Sequence, residues 1–364
     1  MRLTDSRIAR QRLRSQHLVA PAFTDPVDVV RSLGAVQSQD YPNAKWAIAQ
    51  RGRGIRDGDV ERAVSTGALI RTHILRPTWH FVAAEDVRWM LALTAPRVSA
   101  AMASYNRKLA LDAKVFRKSN AAITRVLRDG KELTRAELAK VLSRAGVKVS
   151  TGQRVAHLLM QAELDGVICS GPRRGKQITY MLLDLRVPPA RAWDRDEALL
   201  ELTRRYFDTR GPATLRDFSW WSGLTTGDAK RGIEAAGAAL HRETRDGRPY
   251  WHDPATQASS RATRTAHLLP NYDEYFVGFR DRSAIGERLR KSLSNPRVDA
   301  LMGHVLVVDG QIVGGWRRTL AKRAEIEFEM LVPITATERK RVTATAERFG
   351  RFLGLSVNVR EVWS

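Results

Sequence analysis

The chain has almost no cysteine. Cys169 stands alone, so no internal disulfide can form, and no Cys/His cluster has the spacing of a zinc site. A small buried hydrophobe is its expected role. Long apolar runs are also missing, and none approaches the ~18 residues that cross a bilayer. The opening residues, MRLTDSRIARQRLRSQHL, carry charge throughout and lack the apolar core and small-residue cleavage site of a secretory signal. A cytoplasmic, nucleoid-associated protein with no membrane partner is expected. Acidic residues are in deficit: 39 Asp and Glu face 61 Lys and Arg, a formal charge of +22. Such a field attracts polyanions, and nucleic acid is the first of these to consider. A membrane surface would call for a polybasic amphipathic helix or a lipidation signal, whereas this charge is spread over the whole length. With 43% hydrophobic residues in 364, the chain can build real cores in more than one domain.

The most regular stretch runs from Lys131 to Leu183. In ELTRAELAKVLSRAG, Thr134 and Glu137 make a capping box, and Leu138, Val141 and Leu142 follow at helical spacing. Gly146 ends that helix, and Ser150 with Gln153 is expected to cap a second, whose apolar stripe is Val155, Leu158, Leu159 and Ala162. Two strands, VICS and QITYMLL, joined by the basic turn GPRRGK, complete the layout of a winged helix. The order returns between Asp196 and Asp253: DEALLELTRRYF, then a helix with Thr214 and Asp217 as an acidic capping box, then one capped by Thr225 and Asp228. A hairpin tipped by Asp246-Gly247 follows. A more degenerate copy opens the chain, with Asp25-Pro26 starting DPVDVVRSLGAVQSQ, VERAVSTGA as a further helix, and ALIRTHILRPTWHFVA as wing strands. After His267 strands dominate, and Asp309-Gly310 marks another hairpin. The expectation is an α+β chain of about three tandem winged helices, over 1–100, 101–190 and 191–262, followed by a β-rich α+β domain over 263–364.

Helix-turn-helix units set their second helix in the major groove, so Arg154, His157 and Gln161, opposite the apolar stripe, are candidate DNA contacts. Arg173, Arg174 and Lys176 on the wing, and Arg317 and Arg318 at the end of the strand after Asp309-Gly310, join them. His73, Arg76 and His80, near the first pair of wing strands, are supporting candidates beside the plainer reading that the histidines are structural. A different signal lies in GAVQSQDYPNAKW. Gln37 falls four residues past Leu33 on the stripe that Val30 and Leu33 define, where an apolar side chain is expected, and a buried amide needs partners. If the helix ends near Ser38, as Pro42 encourages, Gln37 and Gln39 project on one side and can line one cleft. Gln37 satisfying backbone groups at a helix end explains the same residue.

Gln37-Ser38-Gln39, RTHILRPTWHFV and LLPNYDEYFVGFRDR together resemble the AlkZ/YcaQ-like family over nearly the full length. These are bacterial winged-helix DNA glycosylases that excise bulky alkylated purines and unhook interstrand crosslinks. The resemblance implies that Gln37 and Gln39 are the catalytic pair, since the family carries Gln-x-Gln in its AlkZ branch and Gln-x-Asp in its YcaQ branch. The middle residue is usually apolar there and is Ser38 here. It also brings Tyr272 and Arg280, from the second motif, into the supporting set.

The chemistry suits the residue type. A purine alkylated at N7 or N3 is cationic and leaves readily, so the enzyme has mainly to place a water and stabilise an oxocarbenium-like sugar. A glutamine carbonyl oxygen can do both, although it is no general base at neutral pH. Asp40 is the nearest carboxylate and fits either an assisting role or a turn or cap before Tyr41-Pro42. The expected activity is a monofunctional glycosylase acting as a monomer, without cofactor or metal, on double-stranded DNA containing alkylated purines. Two readings compete. A winged-helix transcriptional regulator would bind as a dimer, for which the chain shows no coiled-coil heptads. A nuclease would want clustered carboxylates, and Glu325, Glu327 and Glu329 in EIEFE are the candidates, read here as a solvent-facing strand.

Overall fold

Helices start where the sequence marks them. A computed structural model describes residues 3–256, 264–292 and 303–363. Reciprocal capping boxes open the helices Arg135–Arg144, at Thr134 and Glu137, and Thr226–Ala236, at Thr225 and Asp228. Thr214 and Asp217 bond in the same way ahead of Leu215–Ser222. One start shifts by a residue: Thr151, not Ser150, caps Gly152–Leu164, its hydroxyl accepting from the Arg154 amide at 3.1 Å. Both Asp-Gly tips turn as expected, with φ of +48° and +74° at Asp246 and Gly247, and +50° and +85° at Asp309 and Gly310. These are the positive values that two-residue hairpin turns require.

The chain packs as two compact units. One comprises Glu61–Leu199 and Ser222–Leu224. It holds an antiparallel hairpin, Leu69–Ile74 with Arg76–Ala83, and the long helix Val87–Lys108. Three further helices, Ala113–Leu127, Arg135–Arg144 and Gly152–Leu164, enclose a core that includes Ile123, Leu138, Leu142, Leu158 and Tyr180. A second hairpin, Ile168–Arg174 with Gln177–Leu182, carries the basic turn, and the short strand Leu133–Thr134 pairs with it. Cys169 lies buried on this hairpin, and burial pushes its thiol up to about 12.

The other unit comprises Met1–Val60, Leu200–Trp221 and Thr225–Ser364. Its centre is a five-stranded sheet in the order Val357–Trp363, Ala324–Met330, Gln311–Leu320, Val305–Val308, Ala266–Leu269. Neighbours are antiparallel except the first pair, which is parallel and joined through the helix Ala336–Leu353. Phe349 and Phe352 of that helix meet the Trp46 ring at 5.1 and 5.2 Å, tying the helix Tyr41–Ala49 to the sheet. The Trp46 indole N–H and the Gln50 amide both donate to the Leu268 carbonyl, at 2.8 and 3.1 Å.

Next to Leu268, His267 is fully buried, and neither of its ring nitrogens has a hydrogen-bond partner among the described residues. Burial first, then the charges of Arg348 and Arg51, push it down to about 3 from the usual 6.5. The folded chain therefore resists a proton that the unfolded chain takes up below about pH 6.5, so stability rises with pH between these values and falls as acid is added. One such group contributes a slope of about 1.4 kcal/mol per pH unit. Urea unfolding of His267→Leu between pH 7 and 5 should show a shallower loss of stability than the parent; an unchanged slope would mean that His267 is not buried neutral.

Candidate active site

The Gln-Ser-Gln stretch is placed by a helix that stops early. Asp25 caps Pro26–Leu33 by accepting from the Val27 amide at 2.8 Å, and Pro26 fixes the first turn. The chain leaves the helix at Gly34, whose φ is +76° and whose added Cβ would lie 3.6 Å from the Trp221 ring. The helix therefore does not reach Ser38, and Val36–Gln37 is extended. Gln37 is 7% exposed because of this extended run rather than a helical stripe. Ser38 is fully buried, while Gln39 sits in a bend and is exposed, so the two amides have different surroundings.

Asp40 is the N-cap of Tyr41–Ala49. Its carboxylate accepts from the Asn43 backbone amide at 3.4 Å and from the Asn43 side-chain amide at 2.6 Å. Its charge is also felt by His304 and Arg318, favouring their protonated forms, but burial outweighs it and both are lowered from their usual values. His304 Nδ1 accepts from the Asn271 amide at 2.7 Å, which leaves the neutral ring's proton on Nε2. The His304 ring stacks on Trp316, with centroids 4.8 Å apart. Arg318 lies over Trp316 and Phe349 at 5.7 and 5.5 Å, and its buried Nη1 has no hydrogen-bond partner among the described residues. His304, Trp316 and Arg317 help line a cavity of about 370 Å³.

Two adjacent acids hold the ends of the segment. Asp273 takes Arg51 in a two-pronged pair at 2.8 and 2.9 Å, and Arg51 also donates to the Ala47 carbonyl and to Gln16. Glu274 accepts the Gln37 amide on Oε1 at 2.9 Å; Oε2 accepts Arg210 Nη2 at 2.7 Å and the Trp221 indole N–H at 2.9 Å. Arg210 donates in turn to the carbonyls of Leu33 and Ala35, at 2.8 and 3.1 Å. Sequence reading quoted NYDEYF as a motif but missed these two acids and Arg210. The available signal was a pair of acids beside the apolar run Tyr275–Val277.

Several expected DNA contacts are engaged within the protein. The Arg154 guanidinium is buried and donates to the carbonyls of Lys148, Leu109 and Ala110. His157 bonds Asn106 at 2.8 Å, and Gln161 bonds Ser99 and Asp165. The face that should have been free is covered by the long helix Val87–Lys108, an element that a winged helix considered alone does not include. His73 is buried and paired with Glu163, and His80 is fully buried with Nδ1 on the Thr78 carbonyl.

The wing candidates remain at the surface. Arg173 pairs with Glu61 at 3.1 Å, Arg174 with Glu137 at 2.8 Å, and Lys176 is exposed at the turn. Arg76 is half-buried just after the turn residue Leu75, and Tyr272 is half-buried with φ of +64°. Arg280 is exposed and shares the wall of a cavity of about 630 Å³ with Arg216 and Arg248. Arg317 is exposed and pairs with Glu329 at 3.0 Å, and Glu325 pairs with Arg323 and Asn358. All three glutamates of the strand are half-exposed, and Glu327 stands opposite Arg317 and Arg360 across the sheet. Among the described residues no three His, Cys, Asp or Glu side chains form a group suited to a metal ion, and no helix is long and apolar enough to cross a membrane.

The family model for AlkZ-like DNA glycosylases matches residues 30–352. The chain belongs to the AlkZ-like DNA glycosylase family. Among members with an assigned role, it is 26% identical over 363 residues, 95% of each chain, to an interstrand DNA cross-link repair glycosylase of Streptomyces sahachiroi. The solved structure of Streptomyces sahachiroi DNA glycosylase AlkZ matches the whole of both chains at 24% identity with a TM-score of 0.80, so this AlkZ-like chain shares its mixed α+β fold.

Proposed function

We propose that this AlkZ-like chain is a monofunctional DNA glycosylase that hydrolyses the N-glycosidic bond of N7- or N3-alkylated purines, and that it unhooks interstrand crosslinks held by such bonds. Gln37 and Gln39 are its catalytic pair. The observation that carries this reading is the anchoring of the Gln-Ser-Gln stretch: a glutamine backbone fixed by a buried carboxylate, next to an Asp40 committed to capping a helix. A glutamine amide oxygen suits a substrate whose leaving group is already activated, because it stabilises charge without needing a strong base. Tandem winged-helix segments carry the duplex, with Arg173, Arg174, Lys176, Arg280, Arg317 and Arg318 on phosphates. The engagement of Arg154, His157 and Gln161 by other protein groups weighs against the regulator reading, which needs an open recognition helix.

The test is to incubate the protein with duplex treated with a simple methylating agent and to identify the released bases by mass spectrometry. The proposal expects alkylated purines in the supernatant and no unmodified guanine or adenine. Release of unmodified bases, or of none while sequence-selective binding is found, would overturn it.

A further inference from the structure

Burying a glutamate and an arginine completely carries a desolvation penalty that two apolar side chains of the same volume would avoid. Arg210 and Glu274 are both fully buried, and stability alone does not account for them. Their hydrogen bonds converge on one short piece of chain. Arg210 holds the carbonyls on either side of Gly34, at Leu33 and Ala35, and Glu274 holds the amide of Gln37. Three backbone groups within five residues are thus fixed by side chains that lie far away in sequence. The Trp221 indole N–H braces the same Glu274 oxygen that receives Arg210, and the Arg210 guanidinium lies 4.2 Å from the Trp221 ring. Each member is therefore set by the other two. Next along the chain, Asp273 fixes Arg51 beyond the far end of the helix Tyr41–Ala49.

We propose that Glu274 and Arg210 are positioning residues of the reaction: they touch no substrate, and they set the place from which the Gln37 side chain acts. This rests on the catalytic role of Gln37 proposed above. It gives the second motif a physical reason to accompany the first, since the acid that fixes Gln37 lies 237 residues downstream. The clamp on the Gln37 backbone amide fixes the Cα from which that side chain departs, and a displacement of about 1 Å in a catalytic group can lower a rate about 100-fold.

The experiment is a double-mutant cycle read in single-turnover base release from N7-methylguanine duplex, with duplex affinity and the urea midpoint measured on each variant. Glu274→Asp keeps the charge and draws the carboxylate back from the Gln37 amide. It should lower release about 100-fold with affinity unchanged. In a Gln37→Ala background the same change should cost no further factor, because the group being positioned is gone. Equal losses in both backgrounds, or no loss in either, would show a structural role and overturn the inference. If Gln37→Ala alone released base at the parental rate, the catalytic reading would fail first, and the two failures are distinguishable. Should Glu274→Asp not fold, Trp221→Phe removes one brace and keeps an aromatic ring in the core. A smaller loss that vanishes in the Gln37→Ala background is expected, and a loss that persists there contradicts the proposal.

Discussion

Gln37→Ala should lower release of an alkylated purine by roughly 100- to 1000-fold, the size of effect seen when a charge-stabilising donor or dipole is removed from an active site. The fold should survive, because the contact to Glu274 is made by the Gln37 backbone amide and not by its side chain. Duplex affinity should also survive, since the lost interaction is made mainly in the transition state. Gln39→Ala should behave alike, with a milder effect on stability because Gln39 is exposed. Gln→Glu at either position separates charge from shape: a carboxylate stabilises the developing cation but is repelled by the phosphates. Both alanine variants folding, binding duplex and releasing base at the parental rate would remove the catalytic pair from the mechanism.

Affinity for undamaged duplex should fall by about 10³ to 10⁵ between 50 and 200 mM salt if six to ten phosphates are engaged, because each neutralised phosphate releases counterions. The formal charge of +22 supplies the cations. The structure refines which of them matter on the wing. Arg173 and Arg174 already hold Glu61 and Glu137, so a phosphate has to compete for them, whereas Lys176 is exposed at the turn. Replacing all three with alanine should weaken binding to every sequence alike and flatten the salt slope, with Lys176→Ala giving the largest single share. A salt response that is flat in the parent, or unchanged in the triple variant, would contradict a phosphate-reading wing.

Much of this was legible in the sequence because it is local. Capping boxes at Thr134 and Thr225 and the turns at Asp246-Gly247 and Asp309-Gly310 depend on side chains within a few residues, and all are present. What went astray depended on distant neighbours. Arg154, His157 and Gln161 form a polar face on a lone helix, and only the packing of Val87–Lys108 brings Asn106 and Ser99 against that face. The helix before Gln37 stops at Leu33 because Gly34 takes a positive φ and Arg210 donates to the carbonyls of Leu33 and Ala35, and neither fact follows from hydrophobic spacing. Gln37 was found for an imperfect reason: the misplaced amide is real, but it lies on extended chain. Glu274 went unassigned because an acid beside an apolar run reads as surface until Arg210, 64 residues earlier, is brought against it.

The most direct measurement uses one duplex with a single N7-methylguanine, incubated with excess protein in EDTA and sampled for free base and for strand breaks before and after alkali. The account predicts time-dependent release of 7-methylguanine, an intact strand until alkali is added, and a break at the lesion position afterwards. A strand cut without alkali, or activity that disappears in EDTA and returns with magnesium, would contradict it and turn attention to Glu325, Glu327 and Glu329.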